Sequence, residues 1–139
     1  MTINLLDLDK RAMTALGDGD YAAAIPAFME LIAAQPDYEH GLPHYHLAHA
    51  LEDIRDYEMA RKEYEAALQW APGDTLRLGA YASFLYLHGA PTEAIDAYLR
   101  LARSEKASDP EADISDIIEA LSCLAVKAGL DRSEVLNRL

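Results

Sequence analysis

The sequence predicts an all-α protein, a solenoid of three helix-turn-helix repeats followed by a C-terminal capping helix. Three segments of the chain align on one another at a spacing of 34 to 36 residues. Apolar residues recur at helical spacing within each segment, and glycine or proline stands at most of the junctions between the predicted helices. A single repeat of this length cannot bury its own apolar face, so stacked repeats must form a core together.

The aligned positions hold small, aromatic or turn-forming residues. They are Ala12, Gly19, Asp20, Tyr21, Ala24, Phe28, Leu31 and Pro36 in the first segment, Ala48, Arg55, Asp56, Tyr57, Ala60, Tyr64, Ala67 and Pro72 in the second, and Ala82, Gly89, Ala90, Pro91, Ala94, Tyr98 and Leu101 in the third. The third segment has Lys106 where the closing proline of the other two would stand.

Apolar spacing places the paired helices at about 5–17 and 22–35, 43–54 and 58–70, and 75–88 and 91–105. Pro43 and Pro91 suit first helical positions, where a missing N–H costs little. Pro26 lies about one turn inside the second helix, where it removes a hydrogen bond and predicts a slight kink.

The residues from Asp109 to Asp113 predict the start of the capping helix, with an N-cap, a first-position proline and an acidic first turn. One apolar face then follows at helical spacing, and Gly129 ends the helix. The short tail from Asp131 to Leu139 is expected to dock behind it. We therefore predict a single domain over 1–139, with repeats at about 5–38, 41–74 and 75–108 and capping helices at about 109–139.

Composition and charge limit the partners that the chain can bind. The chain is 51% hydrophobic and 26% charged, which is typical of a globular protein. Its formal net charge of -12 disfavours nucleic acid and anionic membrane surfaces as partners. A lone cysteine, Cys123, allows no intrachain disulfide, and the N-terminus reads as neither signal peptide nor membrane span, so we expect a cytoplasmic location.

The three aligned segments closely resemble the tetratricopeptide repeat, over roughly residues 5 to 108. That family has small residues at the helix crossing, Gly-Asp-Tyr at the turn and proline at the exit. This sequence departs from the pattern in two ways. Leu8, His44 and Leu78 stand where the family has a tryptophan, and Glu39 and His40 form a two-residue insertion. The resemblance implies a right-handed solenoid.

In tetratricopeptide proteins the first helix of each repeat lines a concave groove, which implies where a partner would bind here. The implied groove residues are Asp9 and Met13 in the first repeat, Tyr45, His46, His49, Glu52 and Asp53 in the second, and Ser83 and Tyr86 in the third. This surface is apolar and aromatic with carboxylates at one edge, so it suits a segment of another protein with apolar anchors and a basic flank. Lysine at Glu52 and Asp53 is expected to weaken that binding without changing the melting temperature.

His46, His49 and Asp53 fall at spacings of three and four residues on one predicted helix, which also makes them a candidate metal site. The set lacks a fourth ligand, and histidines that titrate in a polar groove are the better interpretation. No cofactor is predicted.

The sequence contains no nucleophile motif and no phosphate-binding loop, so we expect a non-enzymatic adaptor or scaffold. Two alternatives stay open. One is a small cytoplasmic secretion chaperone that holds a secreted substrate, and the other is the substrate-recruiting repeat unit of a larger enzyme system. Self-association into a homodimer is a further possibility, because an exposed apolar surface can pair with its own copy.

Overall fold

A computed structural model describes residues 3–139 of the chain, and within that range every element is helical. The helices are α1 (Leu5–Gly17), α2 (Tyr21–Ala34), α3 (Leu42–Asp53), α4 (Tyr57–Trp70), α5 (Thr75–His88), α6 (Pro91–Ser108), α7 (Ser115–Ala128) and α8 (Arg132–Leu136). A short 3-10 turn, Tyr38–Gly41, precedes α3. The predicted all-α class is therefore confirmed, and the six repeat helices lie within a few residues of their predicted bounds.

Aspartate side chains fix the starts of both second helices in the first two repeats. Asp20 accepts a hydrogen bond from the Ala23 backbone N–H, and Asp56 accepts the same bond from Met59, each at 3.2 Å. These bonds satisfy N–H groups that have no partner inside the helix. The aspartate of the repeated Asp-Tyr pair thus has a local physical role, since it defines where α2 and α4 begin.

The residue before each of these aspartates adopts a left-handed backbone conformation. Gly19 has φ of 72° and Arg55 has φ of 67°. Glycine adopts this conformation without a steric penalty, whereas a residue with a Cβ atom pays about 1–2 kcal/mol. The two repeats therefore use the same turn geometry, but the second one is built with a less suitable residue.

Contacts between helices group the chain into two compact units, one that ends at Ala71 and one that spans Pro72–Leu139. In the first unit α1 packs on α2, α2 on α3 and α3 on α4. Its core combines fully buried alanines at the helix crossings with large rings: Ala12, Ala24, Ala48, Ala60, Phe28 and Tyr64. The alanines allow close backbone approach, and the rings fill the space beside them.

In the second unit α5 packs on α6, α6 on α7 and α7 on α8. Its core contains Leu78, Ala82, Ala94, Ile95, Leu121, Leu124 and Val135. Val135 is fully buried, and α8 contacts α7, as expected for a tail that docks on the capping helix. The assignment of the whole chain to a single domain, with the predicted repeat boundaries, stays a prediction.

The two inserted residues, Glu39 and His40, form a left-handed segment, with φ of 47° and 54°. Gly41 continues it with φ of 77° and is buried against Trp70. A Cβ atom on Gly41 would lie 2.8 Å from the Trp70 Cβ atom, which is closer than carbon atoms approach. The insertion therefore depends on glycine both for its backbone conformation and for its packing.

The predicted start of the capping helix was wrong. Residues 109–114 form a non-helical connection with a turn at 110–111, and α7 begins at Ser115 rather than after an Asp109 cap. The Asp109 N–H instead donates to the Glu105 carbonyl and ends α6. Without a proline at Lys106, α6 continues to Ser108. The Lys106 ammonium then donates to the carbonyls of Pro110 and Ala112, so the turn is held by the end of α6.

Candidate protein-binding surface

Three of the predicted groove residues form one ring cluster on α3. The Tyr45 ring meets His46 edge-on at 5.2 Å between centroids and His49 at 4.6 Å. All three side chains are partly exposed. Tyr45 and His46 stand four and three residues before His49, a spacing that places each of them beside His49 on one helix face. We call Tyr45, His46, His49, Glu52 and Asp53 the α3 surface.

Both histidines of this cluster also rest on core rings of neighbouring helices. His46 stacks on Phe28 of α2 with centroids 5.8 Å apart, and His49 meets Tyr64 of α4 edge-on at 5.5 Å. Burial is the main influence on His49 and lowers its pKa below the ordinary 6.5, although Glu52 and Asp53 act in the opposite direction. His49 is therefore a neutral imidazole at neutral pH.

The two carboxylates of the α3 surface each accept a hydrogen bond from a tyrosine. The Tyr64 hydroxyl donates to Glu52 at 2.7 Å, and the Tyr21 hydroxyl donates to Asp53 at 2.9 Å. Tyr64 is almost fully buried, and burial followed by Glu52 raises the pKa of its hydroxyl far above the usual value. Glu52 therefore contributes to folding, so a lysine at that position should change the melting temperature, contrary to the sequence expectation.

The predicted residues of α1 are Asp9 and Met13. Asp9 accepts a hydrogen bond from the Tyr38 hydroxyl at 3.3 Å, which ties the 3-10 turn before α3 to the first helix. Burial followed by the Asp9 charge raises the pKa of Tyr38. Met13 is 38% exposed and available for apolar contact. Met13 is thus the α1 position best suited to an apolar anchor, while Asp9 has a structural partner.

The predicted residues of α5 lie in the second unit. Ser83 is exposed, whereas Tyr86 is partly buried and meets Tyr98 of α6 edge-on at 6.4 Å. The Lys127 ammonium of α7 lies 4.4 Å from the centre of the Tyr86 ring. Burial followed by Tyr86 raises the pKa of Tyr98. Tyr86 is therefore part of a polar and aromatic arrangement that the capping helix completes.

The metal candidate His46, His49 and Asp53 does not form a ligand group. Within residues 3–139 no three His, Cys, Asp or Glu side chains are placed to hold one ion. Asp53 instead accepts from Tyr21, and both imidazoles lie against aromatic rings. The three side chains lie on one helix, but each of them contacts a different residue of a neighbouring helix.

Sequence reasoning missed two features of this chain. His44 replaces the tryptophan of the family pattern, and its Nδ1 atom lies 2.6 Å from a Glu63 carboxylate oxygen in a largely buried pair. The second feature is the acidic face of α7 beside Tyr86. Asp116, Glu119, Cys123 and Lys127 recur there at helical spacing, and that spacing could have identified the face.

Among the described residues, no helix is both long enough and apolar enough to cross a lipid bilayer.

Comparison with known proteins supports the repeat assignment. The family model described as tetratricopeptide repeat matches residues 8–38 and 43–74. Two solved structures are similar in fold, "MamA RS-1 ArsTM double mutant" with a TM-score of 0.73 and "MamA 41-end from Desulfovibrio magneticus RS-1" with 0.71. Each is 19% identical, and the alignment covers 97% of this chain and 71% of the other. No curated protein sequence matches this chain. At this identity the likeness concerns the fold, and it agrees with the predicted solenoid of helical repeats.

Proposed function

We propose that this chain, which matches the tetratricopeptide repeat over residues 8–38 and 43–74, is a non-enzymatic adaptor that binds a segment of another protein on the α3 surface. The segment has apolar side chains that contact Tyr45 and the two imidazoles, and basic side chains that approach Glu52 and Asp53. Met13 and Asp9 on α1, and Ser83 and Tyr86 on α5, are the further contact positions within this proposal.

The observation that supports this proposal best is the fixed yet accessible ring cluster of α3. Tyr45 contacts both imidazoles, and each imidazole rests on a buried aromatic ring. Side chains that are already held in one arrangement lose little conformational freedom when a partner binds. Tyrosine also offers a large apolar face with a polar end, which is why it is common in interfaces.

The negative charge of the protein favours a bound segment with basic residues beside its apolar ones. The chain has a formal net charge of -12, and Glu52 and Asp53 stand at one end of the ring cluster. A carboxylate accepts several hydrogen bonds, and lysine and arginine side chains are donors of matching charge. Attraction of this kind speeds association and fades as salt is added.

Site-specific crosslinking tests this proposal. A photo-reactive phenylalanine analogue is placed at Tyr45 in one variant and at Tyr57 in another. Tyr57 is a matched control because it is a tyrosine of the same unit, 37% exposed, on α4. Cells that express each variant are irradiated, and the crosslinked peptides are identified by mass spectrometry.

We expect position 45 to crosslink to one defined segment of another protein, rich in apolar and basic residues, and position 57 to give no such adduct. Equal adducts at both positions, or the segment at position 57 alone, would refute the α3 surface as the binding site. Adducts between two copies of this chain at position 45 would show that the α3 surface is a homodimer interface and not a site for another protein.

A further inference from the structure

A small cleft lies within the second unit, where the capping helix α7 faces α5 and α6. It has a volume of about 250 Å³. The lining residues are Tyr86, Tyr98, Asp116, Glu119, Ala120 and Cys123. Small-molecule sites usually have roughly 300–1,000 Å³, so this cleft is sized for a single long side chain rather than for a metabolite or cofactor.

The lining combines two aromatic rings with two carboxylates. Tyr86 and Tyr98 meet at an angle of 86° between their planes, so they present faces in different directions. Asp116 and Glu119 are exposed and three residues apart on α7, and no ion pair engages either of them within residues 3–139. Aromatic faces and free carboxylates both attract cations.

A cation of the chain itself already lies at this place. The Lys127 ammonium is 4.4 Å from the Tyr86 ring centre, within the distance at which a cation and a ring face attract each other. Lys127 is exposed and comes from α7, eight residues beyond Glu119. The arrangement shows that the Tyr86 face accepts a positive charge, and that an exposed lysine can leave it for solvent at low cost.

From this arrangement we infer that the cleft binds the guanidinium group of an arginine side chain from a bound protein segment. The inference rests on the proposed function, because the arginine belongs to the partner. Arginine fits better than lysine, since its planar guanidinium stacks on an aromatic ring while donating two parallel hydrogen bonds to a carboxylate. The lysine ammonium is a compact charge that cannot stack in this way. The incoming arginine therefore displaces the Lys127 ammonium from the Tyr86 ring.

The test uses a small probe, so that it does not depend on knowing the partner. N-acetylarginine amide is titrated into the full chain, and its neutral isostere N-acetylcitrulline amide, with matched sodium chloride, is the control. Cys123 lines the cleft, is exposed and is the only cysteine. The rate at which iodoacetamide alkylates its thiol therefore reports occupancy of this cleft alone.

We expect the arginine probe to slow alkylation in a saturable way at millimolar concentration, while the citrulline probe leaves the rate unchanged. Lys127→Ala removes the internal competitor and should tighten binding about two- to fivefold, the range of an exposed cation–π contact. Asp116→Asn and Glu119→Gln should each weaken binding about two- to fivefold. Glu30→Gln, an exposed glutamate of α2, is the matched control and should have no effect.

The inference is overturned if both probes protect Cys123 equally, if neither protects it, or if Lys127→Ala weakens binding. Circular dichroism of each variant shows that its helices are intact. Since the probe contacts only the second unit, a failure here leaves the crosslink at Tyr45 untouched, and a missing crosslink at Tyr45 leaves the probe result valid.

Discussion

The hydrogen bond between Tyr64 and Glu52 is expected to contribute measurably to folding. Tyr64 is 1% exposed, and its hydroxyl donates to Glu52 at 2.7 Å, with His49 Nδ1 at 3.3 Å as a more distant neighbour. Glu52→Ala removes the acceptor and leaves a nearly buried hydroxyl poorly satisfied. Such a loss costs roughly 1–3 kcal/mol, and because Glu52 is partly exposed we expect about 1–2 kcal/mol.

A double-mutant cycle isolates this contact. Tyr64→Phe removes the hydroxyl and lets Glu52 turn to water, so its cost should be the smaller one, about 0.5–1.5 kcal/mol. In the double variant the loss of Glu52 should cost little more, because no hydroxyl is left without an acceptor. The resulting coupling energy should be about 1 kcal/mol or more, as for residues in direct contact.

Urea unfolding followed by circular dichroism measures these energies. With an m value of about 2 kcal/mol/M, Glu52→Ala should lower the midpoint by about 0.5–1 M. Asp53→Ala is the matched control, because its bond to Tyr21 lies at the surface, and it should cost no more than about 0.5 kcal/mol. Equal midpoints for the two alanine variants, or a coupling energy near zero, would refute the reasoning.

Three further predictions concern the backbone and pH. Gly41→Ala should destabilise the fold by more than about 2 kcal/mol, because strain at φ of 77° adds to the clash with Trp70. Gly17→Ala is the control: its added Cβ atom meets no atom within 4 Å, so it should be neutral or stabilising in thermal unfolding. Arg55→Gly should stabilise the fold by up to about 1 kcal/mol, since φ of 67° suits glycine; a lower urea midpoint would contradict this. Burial lowers the pKa of His49, so the unfolded chain binds more protons and the unfolding free energy should fall as pH drops below about 6.5. His49→Gln should reduce that fall, and Glu52→Gln should lower the His49 pKa further in an NMR titration, because a carboxylate that raises it is removed.

The sequence was sufficient for most of the helices because their signals are local. Asp20 and Asp56 are aligned in the repeat pattern, and each accepts the same N-cap hydrogen bond at the start of its helix. The start of α7 was misjudged for the same reason. Asp109 and Pro110 form a good local start signal, but the carbonyl of Glu105 and the Lys106 ammonium, from the end of α6, hold those residues in a turn.

The candidate site was predicted only in outline. Helical spacing accounts for the contact between the rings of Tyr45 and His49, because residues four apart share a helix face. The contact between Tyr45 and His46 joins adjacent residues, so helical spacing did not predict it. The hydrogen bond from buried Tyr64 to Glu52 was not predictable, because the two residues lie on different helices and the sequence does not show which side chains of two helices meet. Whether the α3 surface binds a partner stays a proposal.

The sequence by itself determined the repeat length, the helix pairs and the small residues at the helix crossings, since each depends on interactions within about one turn or on a repeated pattern. The tertiary structure decided which polar groups are engaged. Glu52 and Asp53 accept hydrogen bonds from tyrosines, Lys106 donates to carbonyls of the following turn, and the Lys127 ammonium lies over the Tyr86 ring. These contacts join different helices or bend the chain back on itself, and their energies depend on burial and distance, which only the packed chain defines.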